Sequence, residues 1–264
     1  MRNGEKSIYL ALCDYDRVKR LLIIGIGAGD PDHLTFQGAK AIAAADAFLI
    51  VDKGETKHDL ARLRHDLIAA HATGPYRVVQ ADDPERDRTT PAYTAAVADW
   101  RSRRAALYAD FLRDDLTDGE TGALLVWGDP GVYDSTLAAL DEVAERVAFD
   151  YEVIPGITSI AALTARHRVG LTRVGRPVHV TTGRRLAAEG MPADDVLVML
   201  DAHCSFTDAD DDVHIYWGAY LGTPDEILIS GRVADVADEI RAARATARAD
   251  KGWIMDTYLL RREP

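Results

Sequence analysis

The sequence predicts an α/β protein with a parallel sheet in its first half and a smaller α+β region in its second. Short, continuously apolar runs such as Leu21–Ile26 and Gly122–Val126 alternate with amphipathic helical stretches. Uninterrupted apolar strands are those buried on both faces, as in parallel sheets covered by helices. After Pro155-Gly156 the helices thin out and strand candidates crowd together.

The first half gives its elements in order. Strands are expected at Leu21–Ile26, Ala47–Val51, Tyr76–Gln80, Gly122–Val126 and Tyr151–Ile154. Helices are expected at His33–Ala45, Lys57–Ala72, Pro91–Leu116 and Ser135–Val147, where apolar residues recur at helical spacing. In the second half, strands are expected at Val178–Thr182, Val196–Leu200, Val213–Trp217, Glu226–Ile229 and Trp253–Leu259. Ile157–His167 and Ala234–Ala249 carry its two long helices, and the strand pattern suits a mixed sheet. The expected domains are residues 20–157 and 158–264. Met1–Arg20 lacks the order of a secretory signal and reads as an extension or an upstream start, ahead of a fold that starts near Val18.

Composition narrows the function. The 264 residues carry a formal net charge of −12, which argues against a general nucleic-acid binder. No apolar run reaches the ~20 residues of a membrane span. Two cysteines, Cys13 and Cys204, build neither a disulfide framework nor a zinc site, so the expected compartment is the cytoplasm. His203 beside Cys204 lacks further ligands at metal spacing, and no metal is expected.

Gly25-Ile26-Gly27-Ala28-Gly29-Asp30 follows the first strand and leads into a helix, as a dinucleotide-binding loop would. Asp52 even sits where an acidic residue takes a ribose hydroxyl. Asp30, however, stands where the third glycine belongs, and a carboxylate there repels a pyrophosphate. Pro31 also lacks a backbone donor. The loop therefore suits a ligand that needs close backbone approach but brings no phosphate, such as S-adenosylmethionine. Asp30 can equally cap a helix starting near Pro31.

Three more segments complete a pattern: Trp127-Gly128-Asp129-Pro130, Ile154-Pro155-Gly156-Ile157-Thr158-Ser159 and Thr181-Thr182-Gly183-Arg184. With the first loop, they make the chain resemble the tetrapyrrole methylases of the cobalamin pathway over roughly Leu21–Arg262. DKGETK, VWGDPGVYDSTL, FDYEVIPGITS, HIYWGAYLGTPDEILISGR and GWIMDTYLLRR resemble the branch that methylates precorrin-5 at C1 and expels an acetyl group as acetic acid.

The resemblance implies two domains with the active site in the cleft between them, S-adenosylmethionine as cofactor, S-adenosylhomocysteine as product, a tetrapyrrole substrate and a homodimer. By position it implies cofactor contacts from Gly27, Ala28, Gly29 and Asp30 in the first loop. Trp127, Gly128, Asp129, Val132 and Tyr133 follow from the second. Thr158 and Ser159 come next, then Leu200 and Asp201, and finally Ala219, Tyr220 and Leu221. Ala28, Trp127 and Asp201 depart from the Pro, Gly and Met usual in the family.

Methyl transfer from a sulfonium needs alignment and water exclusion more than acid–base help. Loss of an acetyl group needs a base to activate water and a donor for the oxyanion. Asp129, Tyr133 and Asp201 are the catalytic candidates, with His203 behind them. Arg184 and Arg185 are the first choice for gripping substrate carboxylates; Arg86, Arg88, Arg173 and Arg176 follow. Three other readings stay open: a sister methylase without deacetylation, a non-catalytic tetrapyrrole carrier, and a nicotinamide-dependent oxidoreductase.

Overall fold

The computed structural model describes residues 18–52, 58–85, 93–210 and 212–262. The chain divides into two compact units. One runs to Ile26 and resumes over Pro31–Gly156, and the other holds Gly27–Asp30 and Ile157–Pro264.

The first unit is built on five parallel strands. These are β1 (Arg20–Gly25), β2 (Ala47–Asp52), β3 (Arg77–Asp82), β4 (Thr121–Val126) and β5 (Asp150–Ile154). Their spatial order is β3-β2-β4-β1-β5. β1 lies between β4 and β5, with Leu22 opposite both Ala123 and Glu152. Its residues alternate faces, and both faces are covered. Leu22 and Ile24 pack with Ile42 of α1 (Phe36–Ala43) and Leu67 and Ile68 of α2 (His58–His71). Leu21 and Ile23 pack with Ala105 and Tyr108 of α3 (Tyr93–Asp110) and Leu140 and Val143 of α4 (Thr136–Ala144). That two-sided burial explains the continuous apolar runs.

Element ends shift where local chemistry intervenes. Residues Pro31–His33 form a single 3-10 turn, and α1 starts only at Phe36. Its cap is Thr35, whose Oγ1 accepts the Gly38 amide at 2.9 Å. The helix expected over Pro91–Leu116 ends as a π turn at Phe111–Asp115, which buries Phe111 and Leu112.

The second unit holds α5 (Ser159–His167) and a mixed sheet. Its strands are β6 (Val178–Thr182), β7 (Asp195–Met199), β8 (His214–Ala219), β9 (Ile227–Arg232) and β10 (Asp256–Arg261). Their order is β6-β7-β10-β8-β9, with β6–β7 parallel and the other pairs antiparallel. The helix α7 (Val233–Lys251) contributes Val233, Ile240 and Ala247 to a core with Trp217, Phe206 and Tyr258. A short helix that the sequence pattern does not announce, α6 (Gly183–Glu189), follows β6. Among the described residues no helix is long and apolar enough to cross a membrane.

Candidate functional site

In the first unit the turns after β1, β4 and β5 meet at the carboxyl edge of the sheet. A Cβ added to Gly156 would lie 2.1 Å from the Gly128 carbonyl oxygen, and one added to Gly25 would lie 2.5 Å from the Gly156 nitrogen. Only glycines allow backbones this close. Gly128, at φ +72°, faces open space on its Cβ side, so a ligand can reach its backbone.

Asp129 ties this cluster together. Its Oδ1 accepts the Gly131 amide at 2.8 Å and its Oδ2 the Gly156 amide at 2.9 Å. Both oxygens therefore hold loops. Trp127 is half-buried and packs with the core beneath α1 and α2. Val132 is partly buried and Tyr133 is 47% exposed with φ 49°, in the left-handed region. Among the described residues the Tyr133 hydroxyl makes no hydrogen bond.

In the second unit, the other candidate segments come together in two places. Ala28 packs with Leu163 of α5, Leu221 after β8, and Leu197 and Leu259 of the sheet. The first loop, the helix behind Thr158-Ser159 and the segment Ala219–Leu221 thus share one apolar cluster. Gly27 and Gly29 flank Ala28 with φ of 86° and 142°. Thr158 caps α5, its Oγ1 accepting the Ala161 amide at 3.1 Å, and Ser159 is the first helical residue. Tyr220, at φ 50°, donates its hydroxyl to the carbonyls of Ala247 and Trp253. Its side chain is committed to the core, so only its backbone can meet a ligand.

The second meeting place is the turn after β7. A Cβ on Gly183 would lie 2.4 Å from Asp201 Cγ, so the start of α6 presses on this turn. The 4%-exposed carboxylate of Asp201 accepts the His203 and Ser205 amides, the Ser205 hydroxyl at 3.1 Å and the Tyr258 hydroxyl at 2.6 Å. These donors occupy its lone-pair directions. Burial beside that carboxylate pushes the Tyr258 hydroxyl far above the ordinary tyrosine range and keeps it a donor. Arg244 donates to the Asp201 and Ala202 carbonyls and pairs with Asp256 at 3.0 Å. Asp201 therefore organises its own turn, which argues against its acting as a base. Leu200 stands above it at φ 54°, 64% exposed. Cys204 is partly buried, and desolvation raises its thiol pKa.

The arginine candidates separate. Arg184 and Arg185 project from α6 as exposed side chains, with Arg185 paired to Glu189 at 2.7 Å. Arg173 is held by fully buried Asp195 at 2.8 Å, and Arg176 pairs with Asp194 at the surface. Arg86 and Arg88 lie outside the described residues. Sequence reasoning missed Arg64 and Arg104, two partly buried arginines near the carboxyl ends of β2 and β4. They belong to no glycine-rich motif and occupy helix positions that read as solvated faces.

Known proteins bear on this arrangement. Residues 20–237 match the family model described as Tetrapyrrole (Corrin/Porphyrin) Methylases. A precorrin-6A synthase [deacetylating] from Sinorhizobium sp. is 48% identical over 251 residues, covering 93% of this chain and 96% of that protein. The crystal structure of a cobalamin synthesis related protein (CobF) from Corynebacterium diphtheriae superposes with a TM-score of 0.81 at 34% identity, over 93% of this chain and 99% of that one. A uroporphyrin-III C-methyl transferase from Thermus thermophilus, complexed with S-adenosyl homocysteine, shares the fold. It has a TM-score of 0.57 at 18% identity, over 92% of this chain and 97% of that one. The chain belongs to the tetrapyrrole (corrin/porphyrin) methylases.

Proposed function

We propose that this chain is an S-adenosylmethionine-dependent C-methyltransferase that converts precorrin-5 to precorrin-6A, methylating C1 and releasing acetate. The observation that carries this reading is the 48% identity to a deacetylating precorrin-6A synthase over nearly the full length of both chains. The fold's relative with S-adenosyl homocysteine bound supports the cofactor.

The residues fit such a cofactor. Close-packed glycine turns with an open Gly128, and no phosphate-binding glycine at Asp30, suit a ligand gripped through backbone groups. When bound, S-adenosylmethionine supplies the electrophilic methyl group. The contacts we assign to it are Gly27–Asp30, Trp127–Asp129, Val132, Tyr133, Thr158, Ser159, Leu200, Asp201 and Ala219–Leu221. Asp129 and Asp201 contribute by fixing their turns. Of the three catalytic candidates, Tyr133 is the one with an exposed and uncommitted hydroxyl, so we assign it the proton-handling role in acetyl loss. Arg184 and Arg185 stay assigned to substrate carboxylates. The reading also takes residues 20–157 and 158–264 as the functional domains and a cytoplasmic homodimer as the working form.

The test is incubation with precorrin-5 and methyl-labelled S-adenosylmethionine, followed by mass spectrometry of the tetrapyrrole and an acetate assay. Label gained together with acetate is expected. Label without acetate would make the chain a sister methylase, and no label would overturn the substrate.

A further inference from the structure

A cavity of about 80 Å³ opens in the first unit beside Val51, Val126 and Trp127, at the carboxyl ends of β2 and β4. Its position follows from topology. β2 leads through α2 on one face outward to β3, whereas β4 leads through α4 on the opposite face, across β1, to β5. Two adjacent strands whose connections part in opposite directions leave a crevice between their ends. That switch point is where open α/β sheets bind ligands.

The cavity brings charged groups in among apolar strand residues. Arg64 enters from α2 and Arg104 from α3, each lining the same space. Arg64 spends Nε on the Leu125 carbonyl and Nη1 on the Leu60 carbonyl, both at 2.8 Å. Arg104 is 11% exposed and stacks 5.0 Å from the Trp100 ring centroid. Its Nε lies 3.3 Å from Asp83 Oδ1 but is misaligned for a hydrogen bond. Tyr108 adds a buried hydroxyl. The acidic lining residue is Asp134, whose Oδ1 already accepts the Thr136 amide at 2.7 Å.

Two arginines lining one small cavity repel each other, and the carboxylates of Asp83 and Asp134 offset that repulsion only in part. Burial, with Arg104's charge added, pulls Arg64 down to about 10. Both arginines line a space large enough for one carboxylate and its methylene.

We infer that this switch-point cavity is a carboxylate subsite in which Arg64 and Arg104 grip one carboxylate-bearing side arm of the substrate. This rests on the tetrapyrrole reading above. It adds binding residues distinct from the exposed Arg184 and Arg185.

Two measurements on the whole protein test it. In the first, Arg104→Met and Arg104→Gln are assayed with precorrin-5 and S-adenosylmethionine. KM for the tetrapyrrole is expected to rise about tenfold or more, with cofactor Kd unchanged within about twofold. An unchanged tetrapyrrole KM overturns the subsite. In the second, the wild-type protein, labelled with 15N-arginine, is titrated with sodium acetate. The Nε–H resonances of Arg64 and Arg104 are expected to shift saturably, and no shift overturns the proposal even if both variants fail to fold. Should the arginines respond to acetate while the wild-type protein leaves precorrin-5 unmethylated, the substrate assignment falls and the carboxylate subsite stands.

Discussion

The Oδ2 of Asp129 accepts the amide of Gly156 at 2.9 Å, linking residues 27 positions apart. The same carboxylate holds Gly131 through Oδ1, so one side chain sets two turns at the sheet's carboxyl edge. Asp129→Asn turns one acceptor into a donor facing an amide N–H. The expected cost is about 1–3 kcal/mol of stability. A weaker cofactor affinity should accompany it, read by thermal melting and calorimetric titration. Unchanged values for both would remove Asp129 from the assembly of the site.

The glycines at this edge should not respond alike. Gly156→Ala drives a methyl group to within 2.1 Å of a backbone oxygen and should cost about 3 kcal/mol or more. Gly128→Ala meets no atom within 4 Å and carries only the left-handed backbone penalty, about 1–2 kcal/mol. Denaturant unfolding of the two variants compares them directly. If the cofactor approaches Gly128 as proposed, its affinity should reverse the order, because a methyl there would stand in its way.

Much of this was legible because it is local. Continuous apolar runs announce the central strands β1, β2 and β4, which are buried along most of their length, whereas the edge strands β3 and β5 are partly exposed and show only short apolar pairs. Gly–Asp–Pro and Pro–Gly–Ile–Thr announce turns whose conformations few other residues adopt. What the sequence hides depends on distant partners. Arg64 binds a carbonyl 61 residues away, and Asp201 is saturated by Tyr258, 57 residues on. On a sequence alone an acidic residue in a cofactor segment reads as chemistry, whereas the buried carboxylate of Asp201 is filled by donors of its own turn and of Tyr258. The helix Gly183–Glu189 escapes notice because only Gly183 and Leu186 are buried, too few to show a period.

The Tyr258–Asp201 contact gives a sharp test of that anchor. Tyr258→Phe removes one donor from a buried carboxylate and should cost about 1.5–3 kcal/mol. Asp201→Asn places an amide among the Ser205 and Tyr258 donors and should cost at least as much. Both losses should appear in equilibrium unfolding. If Asp201 acted instead as a base, Asp201→Asn would abolish acetate release in a protein of near wild-type stability.

His167 predicts a pH dependence. Its Nε2 lies 3.0 Å from the Trp217 carbonyl, so the neutral ring donates there. Its ring also packs 5.6 Å from Tyr216. Burial pulls its pKa below the ordinary 6.5, with the Trp217 hydrogen bond and Glu226 opposing the shift and His214 adding to it. Below pH 6.5 the unfolded chain takes up a proton that the folded site resists. Stability is therefore intact above that pH and is lost as pH falls through the folded value. The melting temperature of the wild-type protein should drop between pH 7.5 and 5.5. In His167→Gln the drop should be smaller, and an equal drop in both would assign the dependence to other groups.

Leu200 separates binding from stability. It is 64% exposed and held at φ 54°, a backbone conformation that costs an L-residue about 1–2 kcal/mol. The turn below it is over-determined by Asp201 and Arg244, which is how such strain persists. Leu200→Gly should therefore leave stability unchanged or raise it by about 1 kcal/mol. If the exposed side chain packs on the cofactor, the same change should weaken S-adenosylhomocysteine binding about tenfold, from the lost apolar contact. Calorimetric titration and denaturant unfolding of one variant give both numbers. Unchanged affinity together with raised stability would show that the strain serves the turn and not the ligand.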